Sequence, residues 1–257
     1  MSSVTEVDLG EGRVIRVVGP ARVEVVSGVV LAVGSRFREG SSLIVHRFRS
    51  YGIKALANSR LKLFLGEGSR VEEVGAGEEV VDEWLRVSER VLRECVGRPC
   101  RVVVMGPPES GKSTLTAFIA NYLRESGLRV GVVEGDVGQE DILVPGTVAL
   151  AEVSKPILWL RELEPLSFRF VGCTSPQYCY AESVVAIREL VDEAVKMGIQ
   201  SLVINTDGWV GSPPALEHKL TLTRFVKPTT VIALSEEVYD FISRCVGNLV
   251  EVLYAPR

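Results

Sequence analysis

The sequence predicts two domains, a small all-β sandwich followed by an α/β domain with a mainly parallel sheet. Residues 1–80 contain short β-type runs separated by Gly, Pro, Ser or Asn, whereas residues 81–257 alternate apolar strand segments with amphipathic helices. The chain has 257 residues and is 46% hydrophobic, which suffices for one large or two modest globular domains.

The predicted sandwich strands have the spacing of a small sandwich or barrel. They are VIRVVG (14–19), ARVEVV (21–26), VVLAVG (29–34), SLIVHRF (42–48), GIKALA (52–57) and RLKLFLG (60–66). In EEVVDEWLRVSERVLREC, residues 78–95, the apolar period becomes helical. We therefore place the domain boundary near residue 80, with this helix in the second domain.

Strands and helices alternate through the second domain. Strands are predicted at 101–105, 128–136, 200–206, 229–234 and 249–255, and helices at 114–126, 183–198, 215–226 and 236–246. Strands connected through helices run parallel, and such sheets bind ligands at the carboxyl ends of their strands. We expect the functional site at that edge.

A phosphate-binding loop follows the first of these strands. The pattern G-x-x-x-x-G-K-S/T lies between the strand RVVVM and the helix TLTAFIANYLRES, which is the context that the motif requires. The second domain is therefore predicted to be a P-loop NTPase domain. The residues predicted to bind the nucleotide here are Gly106, Pro107, Pro108, Glu109, Ser110, Gly111, Lys112, Ser113 and Thr114.

Each residue type in this loop has a physical role. Gly106 and Gly111 let the backbone N–H groups face phosphate oxygens, and the helix N-terminus adds partial positive charge. Lys112 is predicted to reach the β- and γ-phosphates, and Ser113 to offer its hydroxyl to Mg²⁺. Thr114 is predicted to contact a phosphate.

The next strand ends in EGDVGQ, residues 134–139, with acidic groups beside the phosphate loop. Asp136 is the main candidate to bind Mg²⁺ through water or to take a proton from an attacking hydroxyl, with Glu134 as a helper. Gln139 is a candidate to contact the γ-phosphate or to orient the acceptor. The predicted catalytic set is therefore Lys112, Asp136, Glu134 and Gln139, although D-V-G-Q is also ordinary turn chemistry.

Two further segments place polar groups near the same edge. In NTDGWVGSP, residues 205–213, glycines and prolines surround Trp209, which predicts an indole on a loop that stacks on a base or closes over the phosphates. In GCTSPQ, residues 172–177, Thr174 and Ser175 either cap the following helix or touch substrate, and capping is the simpler explanation.

Taken in order, GPPESGKSTL, EGDVGQ, GCTSP and NTDGWVG resemble the polynucleotide 5′-hydroxyl kinase family, which includes RNA kinases of pre-mRNA cleavage, tRNA splicing and ribosomal RNA processing. The segment GPARVEVVSG and Trp84 also resemble that family's N-terminal region. The resemblance implies transfer of the γ-phosphate of ATP, with Mg²⁺, to the 5′-hydroxyl end of RNA or DNA, with Trp209 in a clasp over the phosphates. It also implies that subunits of an RNA-processing complex are binding partners. A P-loop ATPase switch and a nucleotide-binding scaffold are the alternatives.

Three departures from the family pattern bear on activity. Glu134 stands where the family has Asp, and Cys179 stands near a family Asn. The family continues past the last strand into an arginine-bearing lid, whereas this sequence ends at LYAPR. Because phosphoryl transfer needs positive charge over the transferring group, we expect either a shortened form or a substitute arginine. The candidates are Arg161, Arg169 and Arg224.

The net charge and the hydropathy of the sequence limit the possible binding partners and the cellular compartment. The net charge of −4 means that nucleic acid would need a local basic patch. A candidate patch with interleaved Phe37, Phe48 and Tyr51 contains Arg36, Arg38, His46, Arg47, Arg49, Lys54, Arg60 and Lys62. The favoured alternative is a solvated sheet face. The acidic N-terminus and the lack of a long apolar run predict a cytoplasmic protein with no membrane partner.

The five cysteines are Cys95, Cys100, Cys173, Cys179 and Cys245. No C-x-x-C spacing occurs, so a zinc site is disfavoured. Either the thiols are reduced, or a Cys95–Cys100 or a Cys173–Cys179 disulfide forms, of the kind found inside hyperthermophile cells. Scarce amide residues with abundant Arg, Glu and Val also fit a thermophilic source.

Overall fold

The computed structural model describes residues 3–75 and 78–256. It contains two compact units, Met1–Asp82 and Glu83–Arg257. The predicted domain boundary near residue 80 stays a prediction, since compactness does not show that either unit folds alone. No helix in the described ranges has the length and apolar character needed to cross a bilayer.

The first unit consists of two antiparallel sheets. Its strands are β1 (Ser3–Leu9), β2 (Val14–Val18), β3 (Ala21–Ser27), β4 (Val29–Ala32), β5 (Ser35–Arg38), β6 (Ser42–Val45), β7 (Ser50–Ala55), β8 (Ser59–Leu65) and β9 (Arg70–Val74). One sheet has the order β1-β8-β3-β6 and the other β5-β4-β7-β2-β9. Alternate residues such as Val23, Leu61 and Leu63 are fully buried, which is the period-2 pattern that predicted these strands. The all-β prediction is confirmed.

Strands β1, β5 and β9 were not predicted. Each lies at the edge of its sheet, β1 exposes most of its residues, and β9 buries only Val74. An edge strand needs little apolar alternation, so charged sequences such as RVEEV carry a weak strand signal.

The basic run of the first unit does not form one surface. Arg60 and Lys62 lie on β8 of the four-stranded sheet, whereas Arg36 and Arg38 lie on β5 of the other sheet. Two interleaved aromatics, Phe37 and Tyr51, are buried. Lys54 pairs with Asp82 and Arg60 with Asp8, so the charge is also opposed in space. These contacts favour solvated sheet faces over a nucleic-acid patch.

The second unit is built around a seven-stranded sheet within the described residues. Its strands are β10 (Cys100–Met105), β11 (Val130–Gly135), β12 (Thr147–Glu152), β13 (Pro165–Phe170), β14 (Ser201–Thr206), β15 (Thr230–Ala233) and β16 (Glu251–Tyr254). The helices are α1 (Val81–Cys95), α2 (Lys112–Glu125), α3 (Tyr180–Lys196), α4 (Pro213–Val226) and α5 (Glu236–Val246), with short 3₁₀ turns at Leu160–Glu162 and Pro176–Tyr178.

The sheet order is β13-β12-β11-β14-β10-β15-β16. Strands β11, β14, β10, β15 and β16 are parallel, which confirms the predicted mainly parallel sheet. Strands β12 and β13 are antiparallel and were not predicted. Loops connect these strands to the sheet. An antiparallel strand needs no crossover helix, so the sequence lacks the helix that indicates a neighbouring parallel strand.

The topology brings three motifs to one edge. Strand β14 lies between β10 and β11, so its last residues lie between the phosphate loop and the acidic loop. Fully buried side chains of β10, β11 and β14 support this edge, among them Val103, Val133 and Ile204. Motifs that are distant in sequence therefore meet at one edge, which buried strand residues support.

The structure pairs Cys95 with Cys100 and Cys173 with Cys179. The Cα–Cα distances are 5.0 and 6.4 Å, within the roughly 4.4–6.8 Å that disulfides span. Both pairings are ones that the sequence analysis weighs against reduced thiols, and Cys245 is an exposed free thiol.

Candidate functional site

The phosphate loop requires glycine at two positions. A Cβ at Gly106 would lie 2.8 Å from Ser110 Oγ and 2.9 Å from Leu234 Cβ, closer than side chains pack. Gly111 precedes α2 with a φ of 91°, a left-handed conformation that glycine adopts without strain. The Trp84 ring packs against this turn, since it would lie 3.7 Å from a Cβ at Gly111.

Lys112 turns back over this loop. Its Nζ donates a hydrogen bond to the carbonyl of Pro107 at 2.8 Å, and the residue is buried. Burial lowers the pKa of the Lys112 ammonium, and the charge of Asp136 opposes that shift. The Lys112 ammonium therefore lies within the electrostatic influence of the Asp136 carboxylate.

Glu134 and Ser113 share a partner. The Asn205 amide donates to both Glu134 carboxylate oxygens, at 2.9 and 3.0 Å, and lies 3.3 Å from Ser113 Oγ. Burial raises the pKa of Glu134 well above its usual range, opposed by the hydrogen bond from the backbone N–H of Asp136. The resulting group of oxygen atoms lies at the start of α2. Asn205 was not among the predicted site residues.

Asp136 is held by its own turn. Its Oδ1 accepts hydrogen bonds from the backbone N–H groups of Gly138 and Gln139, both at 3.0 Å. Burial raises the pKa of Asp136, and nearby Asp207 raises it further, while Lys112 lowers it. A Cβ at Gly138 would lie 2.8 Å from the carbonyl of Thr174, so this turn lies directly against the GCTSP segment.

A cavity of about 340 Å³, here called the central cavity, opens beside the loop. Four predicted residues from three motifs line it together: Pro108, Asp136, Gln139 and Trp209. The other lining residues are Gly138, Pro176, Gln177, Asp207, Gly208, Val210 and Gly211. The acidic turn and the tryptophan loop therefore face a common space next to the phosphate loop.

A buried charge cluster forms the base of the tryptophan loop. Asp207 Oδ2 lies 2.7 Å from Lys219 Nζ and 3.2 Å from His218 Nε2, and all three side chains are buried. Burial alone would raise the pKa of Asp207, but the charge of Lys219 and the hydrogen bond from His218 hold it well below its usual range. Asp207 is therefore ionised, and α4 supplies both of its partners.

The cluster fixes Trp209. Asp207 Oδ1 accepts the backbone N–H of Trp209 at 2.9 Å, and the Trp209 ring stacks on His218 with centroids 5.9 Å apart. A Cβ at Gly208 would lie 2.8 Å from the backbone nitrogen of Pro108. The tryptophan loop is therefore in direct contact with the phosphate loop.

The predicted helix cap is wrong. Among the described residues, neither Ser175 nor Cys179 makes a side-chain cap hydrogen bond at the turn or helix that it precedes. Pro176 starts a 3₁₀ turn instead, so α3 begins only at Tyr180 and Thr174 lies well before it.

The candidate arginines are used elsewhere. Arg169 pairs with Glu189 and Glu193 on α3 at 2.6 and 2.8 Å, and Arg161 pairs with Asp141 at 2.9 Å. Arg224 lies in the last turn of α4, whereas the first turn of that helix follows the tryptophan loop. Within the described ranges, the lining of the central cavity includes no arginine.

Comparison with known proteins identifies the family. The model of the family described as mRNA cleavage and polyadenylation factor CLP1 P-loop matches residues 106–257, more than half of the chain. The chain belongs to the CLP1 P-loop family. This result confirms the predicted resemblance, and the matched range begins at Gly106, the first residue of the phosphate loop.

The proteins similar to this chain include archaeal kinases. Polyribonucleotide 5′-hydroxyl-kinase PH0197 of Pyrococcus horikoshii is 34% identical over 140 residues, covering 54% of this chain and 38% of that protein. The kinase TK1956 of Thermococcus kodakarensis is 36% identical over 137 residues, covering 53% and 38%. A CLP1 homolog of Arabidopsis thaliana is 33% identical over 120 residues, covering 43% and 27%. The matched part thus spans well under half of these relatives.

A solved structure shows the same fold. Clp1p in a Clp1p–Pcf11p complex matches with a TM-score of 0.77 at 14% identity, covering 99% of this chain and 67% of that one. Identity this low supports the fold alone, and it agrees with an all-β region followed by a P-loop domain.

Proposed function

We propose that this protein transfers the γ-phosphate of ATP to the 5′-hydroxyl end of RNA, with DNA as an alternative acceptor. The observation that carries the proposal is the central cavity, which presents the Asp136 carboxylate directly beside the phosphate loop. An open cavity with a carboxylate at this place provides room for an acceptor hydroxyl as well as for a phosphate chain. The archaeal relatives named as polyribonucleotide 5′-hydroxyl kinases supply the acceptor class.

The phosphate loop and α2 bind the triphosphate in this proposal. Backbone N–H groups between Gly106 and Thr114 face its oxygens, and the helix N-terminus favours negative charge. Lys112 leaves the Pro107 carbonyl and reaches the β- and γ-phosphates. Because the described cavity lining offers no arginine, Lys112 is the cation that we assign to the transferring group.

The oxygen groups around Ser113 suit Mg²⁺, which prefers oxygen ligands. The Ser113 hydroxyl would bind the ion directly, and Glu134 and Asp136 would hold its water ligands. Bound there, Mg²⁺ supplies neutralisation of phosphate charge. Asn205 keeps the Glu134 carboxylate oriented toward this place through its two hydrogen bonds.

Asp136 acts as the general base. It takes the proton of the 5′-hydroxyl while the hydroxyl oxygen forms a bond to the γ-phosphorus and the bond to the β-phosphate oxygen breaks, which releases ADP. Burial raises the pKa of Asp136 and makes the carboxylate a better proton acceptor. Gln139 orients the acceptor from the same turn, and Trp209 closes over the phosphates.

Incubation with γ-labelled ATP, Mg²⁺ and a 5′-hydroxyl oligoribonucleotide at elevated temperature tests this proposal. Label on the RNA 5′ end is the expected result, and a DNA oligonucleotide of the same sequence measures the acceptor preference. Release of free phosphate without labelled RNA would favour the ATPase switch. Binding of ATP with neither product would favour the nucleotide-binding scaffold.

We also propose that the chain works in the cytoplasm within an RNA-processing assembly. The support is that Clp1p, which shares this fold, occurs in complex with Pcf11p. Purification of the tagged chain from its source under native conditions would yield co-purifying subunits. A chain recovered alone would contradict this part of the proposal.

A further inference from the structure

A cross-linked segment forms one side of the central cavity. The structure joins Cys173 and Cys179, which are six positions apart in the sequence, by a disulfide. We call residues 173–179 the cystine loop. Pro176 and Gln177 lie within it and line the central cavity. The disulfide therefore closes a short ring of backbone around residues that face this cavity.

The cystine loop lies directly against the acidic turn, residues 136–139. A Cβ at Gly138 would lie 2.8 Å from the carbonyl oxygen of Thr174, closer than a side chain packs, so the two backbones are in contact. The N–H of Gly138 donates a hydrogen bond to Asp136 Oδ1 at 3.0 Å. The Thr174 carbonyl therefore limits where the turn, and with it the Asp136 carboxylate, can lie.

Gly146 joins the same two segments through backbone hydrogen bonds. Its N–H donates to the carbonyl of Val137 at 2.8 Å, and its own carbonyl accepts from the N–H groups of Val171 and Gly172 at 2.9 and 3.1 Å. Cys173 follows directly, and a Cβ at Gly146 would lie 3.7 Å from its carbonyl oxygen. The acidic turn is thus tied to the first cysteine of the cystine loop.

The second cysteine fixes the far end of the cystine loop in the hydrophobic core. Cys179 is 4% exposed, and it belongs to the same buried cluster as Val137 of the acidic turn. Between the two cysteines the loop is open to solvent, with Thr174, Gln177 and Tyr178 exposed. Because few buried apolar contacts hold the middle of this loop, the cross-link is a principal restraint on its shape.

The other disulfide lies at the opposite edge of the sheet. Cys95 ends α1 and Cys100 begins β10, whereas the phosphate loop follows the last residue of β10. Neither cysteine is among the described residues that line the central cavity. The chain thus contains a matched pair of cross-links, one beside the cavity and one remote from it.

The two cysteines of the cystine loop differ in exposure. Cys173 is partly exposed and Cys179 is buried, so a small dithiol reaches Cys173 first. A thiolate of dithiothreitol attacks the disulfide and forms a mixed disulfide, and the second thiol of the reagent then closes its oxidised ring. The reagent loses two electrons and two protons, and the protein gains two thiols. Oxidised glutathione in excess reverses the exchange, so the cross-link can be removed and restored without changing any residue.

We propose that the Cys173–Cys179 disulfide is a positioning element of the proposed transfer, because it holds the acidic turn in place, and that its reduction slows transfer to RNA. In this role the disulfide makes no contact with the reacting atoms. It acts on Asp136 through the Thr174 carbonyl and Gly138. The inference rests on the proposed function, since Asp136 is the base of that reaction.

Two double variants isolate one cross-link each. Cys95→Ala/Cys100→Ala keeps only the disulfide of the cystine loop and is called the loop-linked variant. Cys173→Ala/Cys179→Ala keeps only the remote disulfide and is called the loop-open variant. In denaturant without a reductant, iodoacetamide is expected to label Cys245 alone in the wild type. Label on Cys173 or Cys179 would overturn the proposal.

The first test measures the order of the acidic turn and needs no enzymatic activity. The backbone N–H groups of Gly138 and Gln139 donate to Asp136, so their hydrogen exchange reports on this turn. When dithiothreitol reduces the loop-linked variant, we expect exchange at these two amides to quicken about tenfold or more. Exchange in the loop-open variant is expected to be fast with or without the reductant.

The second test measures the rate of label transfer from γ-labelled ATP to a 5′-hydroxyl oligoribonucleotide. Reduction of the loop-linked variant is expected to lower kcat about tenfold or more, since a displacement of about 1 Å at a reacting group costs about a hundredfold. KM for ATP is expected to stay unchanged, and oxidised glutathione to restore the rate. The loop-open variant is expected to be slow in both states and not to respond to dithiothreitol.

The outcomes separate the two levels of inference. Equal transfer by the oxidised and the reduced loop-linked variant would overturn the positioning inference and leave the kinase proposal intact. Faster exchange on reduction, with transfer to RNA in neither state, would overturn the proposed function and support the hold of the disulfide on the turn. A reduced loop-linked variant that unfolds below the assay temperature would also overturn the inference, because the disulfide would then support the whole fold.

Discussion

The phosphate loop and the opposite wall of the central cavity keep their shapes by different means. The loop depends on backbone geometry within one short segment, where Gly106 avoids Leu234 and Gly111 takes a left-handed conformation. The opposite wall depends on side chains from separate elements, with Asp207 after β14 bound by Lys219 on α4. The loop's shape thus depends on adjacent residues, and the wall's shape depends on tertiary contacts. We therefore expect mutations in the two regions to have different effects.

The two regions also differ in the free energy that a mutation is expected to cost. The glycines shape the loop through backbone conformation, whereas the wall depends on an ionised carboxylate and a lysine paired in the protein interior. Such a pair gains little over apolar packing while it is intact, but removing one partner leaves the other charge unpaired. Variants in the loop should therefore change catalysis, and variants in the cluster should change stability first.

The largest effect is expected for Lys112→Ala. Loss of the cation on the transferring group should lower transfer by about a thousandfold or more, while the unfolding midpoint stays near that of the wild type. The exposed Lys155, changed to Ala, is the matched control for loss of one lysine. Transfer that survives Lys112→Ala would remove Lys112 from the mechanism.

Lys219→Met should act on stability. It leaves the Asp207 carboxylate buried without its main partner, so we expect a loss of about 3–5 kcal/mol in the free energy of unfolding, measured with urea. The double variant Asp207→Asn/Lys219→Met removes both charges and should lose less than Lys219→Met alone. Equal stability of Lys219→Met and the control Lys155→Met would contradict a cluster that supports the wall.

Gly208→Ala tests the contact between the two regions. The new Cβ would lie 2.8 Å from the backbone nitrogen of Pro108, so the two loops must move apart. We expect kcat/KM to fall by about a hundredfold, as misplacement by about 1 Å does elsewhere. Gly10→Ala is the control, since its Cβ would make only ordinary contacts at 3.8 and 4.0 Å and the residue lies outside the central cavity.

Glu134→Gln should give the smallest effect. The amide keeps the shape of the side chain but removes the negative charge beside Ser113. We expect the Mg²⁺ concentration for half-maximal transfer to rise about tenfold. This is the usual loss of metal affinity when a residue that orients the metal's ligands is changed. Glu164→Gln should leave the Mg²⁺ requirement unchanged, and the same result for Glu134→Gln would place Glu134 outside the metal site.

The sequence predicted the local parts of this site best. The glycine loop, the acidic turn at Asp136 and the loop position of Trp209 each depend on adjacent residues, and the structure brings them together. The partners Asn205 and Lys219 were missed, because each meets its carboxylate only through the sheet order or the packing of α4. The acidic partners of the basic run in the first unit could not be predicted for the same reason, since Lys54 meets Asp82 and Arg60 meets Asp8 only through the fold.

The phosphorylation state of the RNA 5′ end gives the most direct test of the account. Wild-type protein with γ-labelled ATP and Mg²⁺ would be given one oligoribonucleotide with a 5′-hydroxyl and the same one with a 5′-phosphate. The account predicts label on the 5′-hydroxyl RNA alone, lost in Lys112→Ala. Phosphate release at one rate with either RNA, and no labelled RNA, would contradict an acceptor site beside the phosphate loop.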